Sequence, residues 1–180
     1  NTTYYHGGLL DPYSAAFNPF KYCVELARVV EELGGLIYED SKVIRIKRNR
    51  NSVTVITPKG EVKAKELVIA TNGYSTNITK KLTKSSMPMD SHIITTEPLP
   101  NNIIENINPK NRVFVDTKNF LYYFRLTKDN RMLFGGRVSF KKLKDKANGK
   151  LSPLYETLRQ NMIEVHPELE NVGITHCWGG

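Results

Sequence analysis

The stretch Glu66-Leu67-Val68-Ile69-Ala70-Thr71-Asn72-Gly73 limits what this chain can fold into more than any other. Leu67 to Ala70 is apolar on both faces, in a chain whose mean hydropathy is only -0.41. A strand with no polar side belongs between two covering layers, as a central strand of a parallel α/β sheet does. The small-residue turn that follows leaves backbone N–H groups free at the carboxyl edge of such a sheet, where α/β folds bind ligands. An ordinary left-handed turn uses Asn-Gly just as readily and needs no ligand. The glycine pattern G-x-G-x-x-G is absent from the sequence.

The neighbouring segments fit an α/β reading. Asn18 is placed as an N-cap with Pro19 at the first helical position, and Phe20, Cys23, Val24, Ala27 and Val30 recur at helical spacing until Gly34-Gly35 stops the helix. Leu36-Ile37-Tyr38 follows at once and is expected to be a strand, the second element of half a βαβ unit. Val43 to Lys47, Val53 to Thr57 and Glu61 to Ala64 alternate apolar and polar residues between turn clusters, which predicts a small antiparallel meander. Beyond about residue 80 the texture changes. His92 to Thr96, Val113 to Val115, Leu121 to Thr127 and Met132 to Gly136 read as an antiparallel sheet, the last two joined by a turn at Lys128-Asp129-Asn130. A second helix is expected from a Ser152 cap through Leu154, Tyr155, Leu158 and Met162 to Pro167, and Tyr4-Tyr5 as an aromatic strand broken by Gly7-Gly8.

Several function classes drop out. No apolar run approaches the roughly 20 residues that cross a bilayer, and the first residues form no secretory signal. Two cysteines make no disulfide framework, which favours a reducing, cytoplasmic setting. The four histidines have no metal-ligand spacing, so no metal site is expected. The net charge of +8 admits a polyanionic partner, but its one dense group, Lys141, Lys142, Lys144, Lys146 and Lys150, reads as a solvated loop. No aromatic residues interleave it as nucleic-acid stacking requires, leaving a basic nucleic-acid-binding domain as the weaker alternative. A non-catalytic ligand-binding domain is the other alternative.

The chemistry-bearing pattern is Tyr122-Tyr123-Phe124-Arg125, followed by Gly135-Gly136. An arginine in an aromatic strand is costly to bury unless an acceptor pairs with it. The acceptor is a substrate carboxylate, or an internal partner such as Asp116 or Glu97, unless the side chain is simply exposed. The glycine pair lets something flat approach the backbone, although a bulge alone would also use it.

Taken in order, "YYHGGLLDP", "NPFKYCVELARVVEELGG", "VIATNGY", "TTEPLP", "YYFRLTKDNRMLFGGR" and "HCWGG" resemble the middle of the flavin-dependent D-amino-acid oxidase (DAO) superfamily. The likeness is to its gamma-glutamylputrescine oxidoreductase and glycine/sarcosine oxidase branch, over almost the whole chain. The departure is Tyr13-Ser14-Ala15-Ala16, where the family usually carries glycine. The resemblance implies oxidation of a C–N bond in a small amine or amino acid by hydride transfer to flavin N5, followed by imine hydrolysis, with FAD as cofactor of the full-length parent. Implied cofactor contacts are Val43, Ala70, Thr71, Asn72, Gly73, Gly135 and Gly136; implied substrate contacts are Arg125, Tyr123 and Tyr5, with no catalytic acid or base visible.

The expectation is therefore an internal fragment of mixed α/β class. Residues 1–13 give a substrate-domain strand and 14–82 a partial Rossmann-like FAD-binding portion with its β-meander. Residues 83–173 form an antiparallel substrate-binding domain, and 174–180 begin a return to the FAD-binding portion. Because the phosphate-binding glycine loop is absent, the fragment itself is expected to be inactive and to lack FAD, its partners being the missing terminal segments of the same chain.

Overall fold

The computed structural model describes residues 2–74, 80–85, 89–139, 146–147 and 150–180. Within them the chain is mixed α/β, every strand pairing is antiparallel, and two compact units are formed: Ala15–Pro88, and Asn1–Ser14 with Met89–Gly180.

In the first unit, helix α1 (Pro19–Glu32) begins as the sequence specifies. Asn18 Oδ1 accepts from the Lys21 N–H at 3.1 Å, and Pro19 fills the position whose N–H would be unsatisfied anyway. It ends where Gly34 takes a positive φ of 83°. Gly35 N–H then donates to Val30 O at 2.8 Å, so close that a Cβ on Gly35 would meet Val30 Cγ1 at 2.6 Å. The expected apolar stripe faces solvent, with Phe20 75%, Val24 49% and Val30 44% exposed and only Ala27 half-buried. Strands β1 (Arg45–Asn49), β2 (Ser52–Thr57) and β3 (Gly60–Ala64) form the predicted meander in the order β1-β2-β3. Two-residue turns join them, opposite Asn49↔Ser52 and Thr57↔Gly60. A short 3-10 turn at Asn72–Tyr74 and helix α2 (Lys80–Ser85) complete the described part.

Two predicted strands of this unit are not strands. Leu36–Tyr38 and Leu67–Ala70 run without any ladder partner, and Val68 is 86% exposed. A strand exists only with a neighbour to take its N–H and C=O groups. Each described strand of this unit already belongs to the meander. The expected parallel central strand therefore has nothing here to be central to.

The second unit is a five-stranded sheet in the order β10-β4-β7-β6-β5, built from β4 (Asp90–Pro98), β5 (Phe114–Val115), β6 (Tyr123–Leu126), β7 (Arg131–Ser139) and β10 (Ile174–Gly179). The β6–β7 hairpin turns where predicted. Asn130 adopts φ 61°, and the Thr127 hydroxyl accepts from Arg131 N–H at 3.0 Å while donating to Asp129 Oδ1 at 2.7 Å. Helix α3 (Asn101–Ile107), which the sequence reading did not anticipate, follows β4; at two turns it is too short to show a helical period. The stretch read as a lysine loop contributes β8 (Lys146–Ala147) and β9 (Lys150–Leu151), a small hairpin, while Lys141, Lys142 and Lys144 lie outside the described residues.

Helix α4 (Pro153–Val165) starts after Ser152, whose side chain makes no capping hydrogen bond. Its stripe of Tyr155, Leu158, Met162 and Val165, all fully buried, covers one face of the sheet. That face carries a ladder of facing residues, Phe114↔Phe124↔Phe134↔Ile94↔Cys177, one from each strand. The Phe114 and Phe124 rings stack at 4.9 Å, and those of Phe124 and Phe134 at 5.5 Å. The parallel row Tyr122, Gly136, His92, Gly179 alternates large side chains with none. A Cβ at Gly136 would meet Tyr122 Cδ1 at 2.6 Å, and one at Gly179 would meet His92 Nδ1 at 2.6 Å. Residues 2–13 hold no strand. Tyr4 and Tyr5 instead pack as half-buried rings against this core.

Candidate functional site

Because side chains alternate along strands, residues between those of the ladder emerge on the other face of the sheet. One row there is Val115↔Tyr123↔Gly135↔Ile93↔Trp178; the next is Arg125↔Leu133↔Thr95↔His176. Tyr123, Arg125, Ile93 and Leu133 are half-buried, while Val115, Trp178 and His176 are exposed. Strand alternation thus brings a phenol, a guanidinium and an indole onto one half-exposed surface, an arrangement suited to a small ligand with an apolar body and a negative group.

Gly135 occupies the centre of the first row. A Cβ there would fall 2.0 Å from Tyr123 Cε2 and 2.2 Å from Cζ, so the Tyr123 ring lies directly over the glycine. A ring of the protein itself thus lies flat against this backbone. Tyr123 covers Gly135 on one face and Tyr122 covers Gly136 on the other. Beyond Gly135, the Tyr123 hydroxyl and Ser91 Oγ are hydrogen-bonded at 2.9 Å. Ser91 carried no expectation from sequence; it lies two strands from Tyr123, two residues along β4 from Ile93, the residue opposite Gly135.

Tyr5 is held at the β5 edge. Its hydroxyl donates to Asp116 Oδ2 at 3.3 Å, and burial, then the Asp116 carboxylate, push its ionisation well above the ordinary tyrosine range. Asp116 Oδ1 also accepts from the Tyr122 N–H at 2.8 Å and the Lys118 N–H at 3.3 Å, so this carboxylate organises the loop between β5 and β6. Glu97, the other carboxylate considered for Arg125, accepts from the Gly173 N–H at 2.9 Å. Arg131 is built into the structure: it pairs with Asp129 Oδ2 at 2.6 Å and donates to Thr96 O at 3.1 Å and Thr175 Oγ1 at 3.0 Å.

The remaining sequence-predicted residues lie in the Ala15–Pro88 unit. Val43 and Thr71 are half-buried, and Ala70 is exposed. Asn72 takes the left-handed conformation at φ 47°, and the Tyr74 N–H closes the turn onto Thr71 O at 3.0 Å. The turn is real, but it follows an unpaired segment and not a sheet strand. Among the described residues no group of three or more His, Cys, Asp or Glu could hold a metal ion, and no helix is long and apolar enough to cross a membrane.

A family model described as FAD dependent oxidoreductase (DAO) matches residues 1–180. The chain belongs to the DAO family. It is 33% identical over 180 residues to the probable oxidoreductase OrdL of Haemophilus influenzae, covering 98% of this chain and 39% of that protein. It is likewise 33% identical over 179 residues to the gamma-glutamylputrescine oxidoreductase of Escherichia coli, covering 98% and 40%. The chain thus spans about two fifths of the length of these curated relatives. Among solved structures, L-proline dehydrogenase from P. horikoshii superposes with a TM-score of 0.70 at 20% identity, covering 90% of this chain and 42% of that one. Glycine oxidase from Geobacillus kaustophilus gives 0.65 at 18%, covering 87% and 40%. At these identities the likeness is one of fold, and it extends to both α/β character and antiparallel sheets. Membership of the DAO family implies FAD as cofactor of the parent enzyme. In this chain the residues suit only part of such a site, since the sequence holds no glycine-rich phosphate loop.

Proposed function

We propose that this chain supplies a substrate-facing sheet and a share of the FAD-binding portion of an enzyme that oxidises the C–N bond of an amine or amino acid. The observation that carries the reading is the half-exposed sheet face bearing Tyr123 and Arg125, in a chain that matches the DAO family from end to end. Arg125 pairs with a substrate carboxylate, and Tyr123 forms a wall and hydrogen-bond donor beside it. Tyr5, which the family resemblance offers as a further substrate contact, is tied to Asp116 at the β5 edge. These groups bind and orient the amine and exclude water, which is the protein's task where a cofactor performs the difficult step. FAD, when bound, supplies the two-electron acceptor for hydride leaving the carbon next to nitrogen, and water then hydrolyses the imine.

Residues 14–82 form the chain's share of the dinucleotide site, with Val43 and the Ala70-Thr71-Asn72-Gly73 turn directed to it. The exposed stripe of α1 and the unpaired Leu67–Ala70 run are the surfaces that further strands of the longer protein cover. The pyrophosphate grip comes from that longer protein, and the 180 residues alone do not retain FAD. The test is to express the complete reading frame that contains this segment, record its visible spectrum, and add candidate amines without oxygen. Flavin absorbance that bleaches with an amine or amino acid is the expected result; a folded full-length protein that takes up no flavin ends the proposal.

A further inference from the structure

We propose that Ser91 is a positioning residue that fixes the substrate-facing phenol of Tyr123, and that Gly135 is the gap that makes this possible; the inference rests on the reading of Tyr123 as a substrate contact. Strands in a sheet lie about 4.8 Å apart, so β6, which carries Tyr123, and β4, which carries Ser91, run about 9.6 Å apart with β7 between them. Ile93 is the β4 residue opposite Gly135, and Ser91 lies two residues along from it, so the phenol reaches across diagonally. A side chain on the intervening residue would force the phenol upright. With Gly135 there, the ring lies flat over the backbone and its hydroxyl meets Ser91 Oγ at 2.9 Å. Ser91 is itself anchored, because its N–H donates to Gly180 O at 2.9 Å and its carbonyl accepts from Gly180 N–H at 3.0 Å. A tyrosine hydroxyl carries one proton and two lone pairs. The 2.9 Å contact admits either hydroxyl as donor; in the arrangement proposed Ser91 donates to the phenol oxygen, which leaves the Tyr123 proton for an acceptor on the half-exposed face, the carboxylate of the substrate. The flat ring also sets the floor of the site, so substrate depth over this row depends on a contact two strands away.

The experiment uses the full-length, flavin-loaded protein in five forms: wild type, Ser91→Ala, Ser91→Thr, Tyr123→Phe and the Ser91→Ala/Tyr123→Phe double variant. Ser91→Ala is expected to raise KM for a carboxylate-bearing amine about tenfold while kcat changes less than about twofold. Ser91→Thr, which keeps the hydroxyl, restores the wild-type KM. The double variant matches Tyr123→Phe alone, because Ser91 acts only through the phenol. As a readout independent of turnover, 3-fluorotyrosine at position 123 gives one narrow fluorine resonance in the wild type, which moves and broadens in Ser91→Ala. Additive effects in the double variant, or a wild-type KM and fluorine signal in Ser91→Ala, overturn the inference while leaving the Tyr123 assignment standing. A wild-type KM in Tyr123→Phe overturns both. Should Ser91→Ala not accumulate as folded protein, Gly135→Ala dislodges the ring from beneath and is expected to give the same rise in KM, an unchanged KM again overturning the inference.

Discussion

Arg125 shares its strand face with Tyr123, two residues earlier, and this spacing is the basis for pairing them at one substrate. Replacing the arginine with a shorter apolar side chain removes the guanidinium, and comparing substrates with and without a carboxylate separates the charge from the lost packing. Arg125→Leu in the full-length enzyme is expected to raise KM about tenfold or more for amines that carry a carboxylate, the scale of a lost charge-assisted hydrogen bond. Plain amines should be little affected, and an equal loss for both classes rejects the role. The sequence made Arg125 and Tyr123 visible because an arginine inside an aromatic strand is unusual. It did not reveal Ser91, whose part depends on strand order and register. Gly135 was recognised as an opening, but that the Tyr123 ring of the neighbouring strand lies over it follows from pairing register, which composition does not carry.

Among the elements, the β1–β3 meander, the β6–β7 hairpin and both long helices were legible because their signals are local: Asn18-Pro19 and Gly34-Gly35 bracket α1, and Thr127 to Asn130 close the β6–β7 turn. The failures were elements whose identity depends on what lies beside them. Leu67–Ala70 has the composition of an inner strand and no described strand to pair with, and Tyr4-Tyr5 found a place against a core without joining the sheet. Where partners are present, the energetic consequence is large. Phe134 is fully buried at the centre of the aromatic ladder, whereas Val115 on the opposite face of the same sheet is 63% exposed. Phe134→Ala is expected to cost about 3–5 kcal/mol, transfer and cavity terms together, and Val115→Ala under about 0.5 kcal/mol. Urea unfolding followed by a probe of the sheet unit separates them, and comparable midpoint shifts for the two would contradict the assignment of inner and outer faces.

For the molecule as a whole, acid stability turns on His166, which closes α4 and lies edge-on to Phe124 at 5.3 Å. Neither of its ring nitrogens has a hydrogen-bond partner among the described residues, and burial pushes the imidazole from 6.5 down to about 4, the nearby Glu168 carboxylate opposing the shift. Above pH 6.5 the ring is neutral in the folded and unfolded chains alike. Between pH 6.5 and about 4 only the unfolded chain binds the proton, so stability falls as the pH falls, by at most about 3 kcal/mol once both forms are charged. Melting of the sheet unit across this window should show the slope, and His166→Leu, which removes the base without orphaning a partner, should flatten it; an unchanged slope in the variant assigns the titration elsewhere. The row in which Tyr122 lies over Gly136 and His92 over Gly179 carries a different kind of constraint, extending from early in the sheet to its last strand. Each bulky ring borrows the volume its neighbour gives up, so neither member of a couple is free to drift alone. Descendants of this chain can trade size between the two positions, but a gain on one side without a matching sacrifice on the other leaves the strands no room to close.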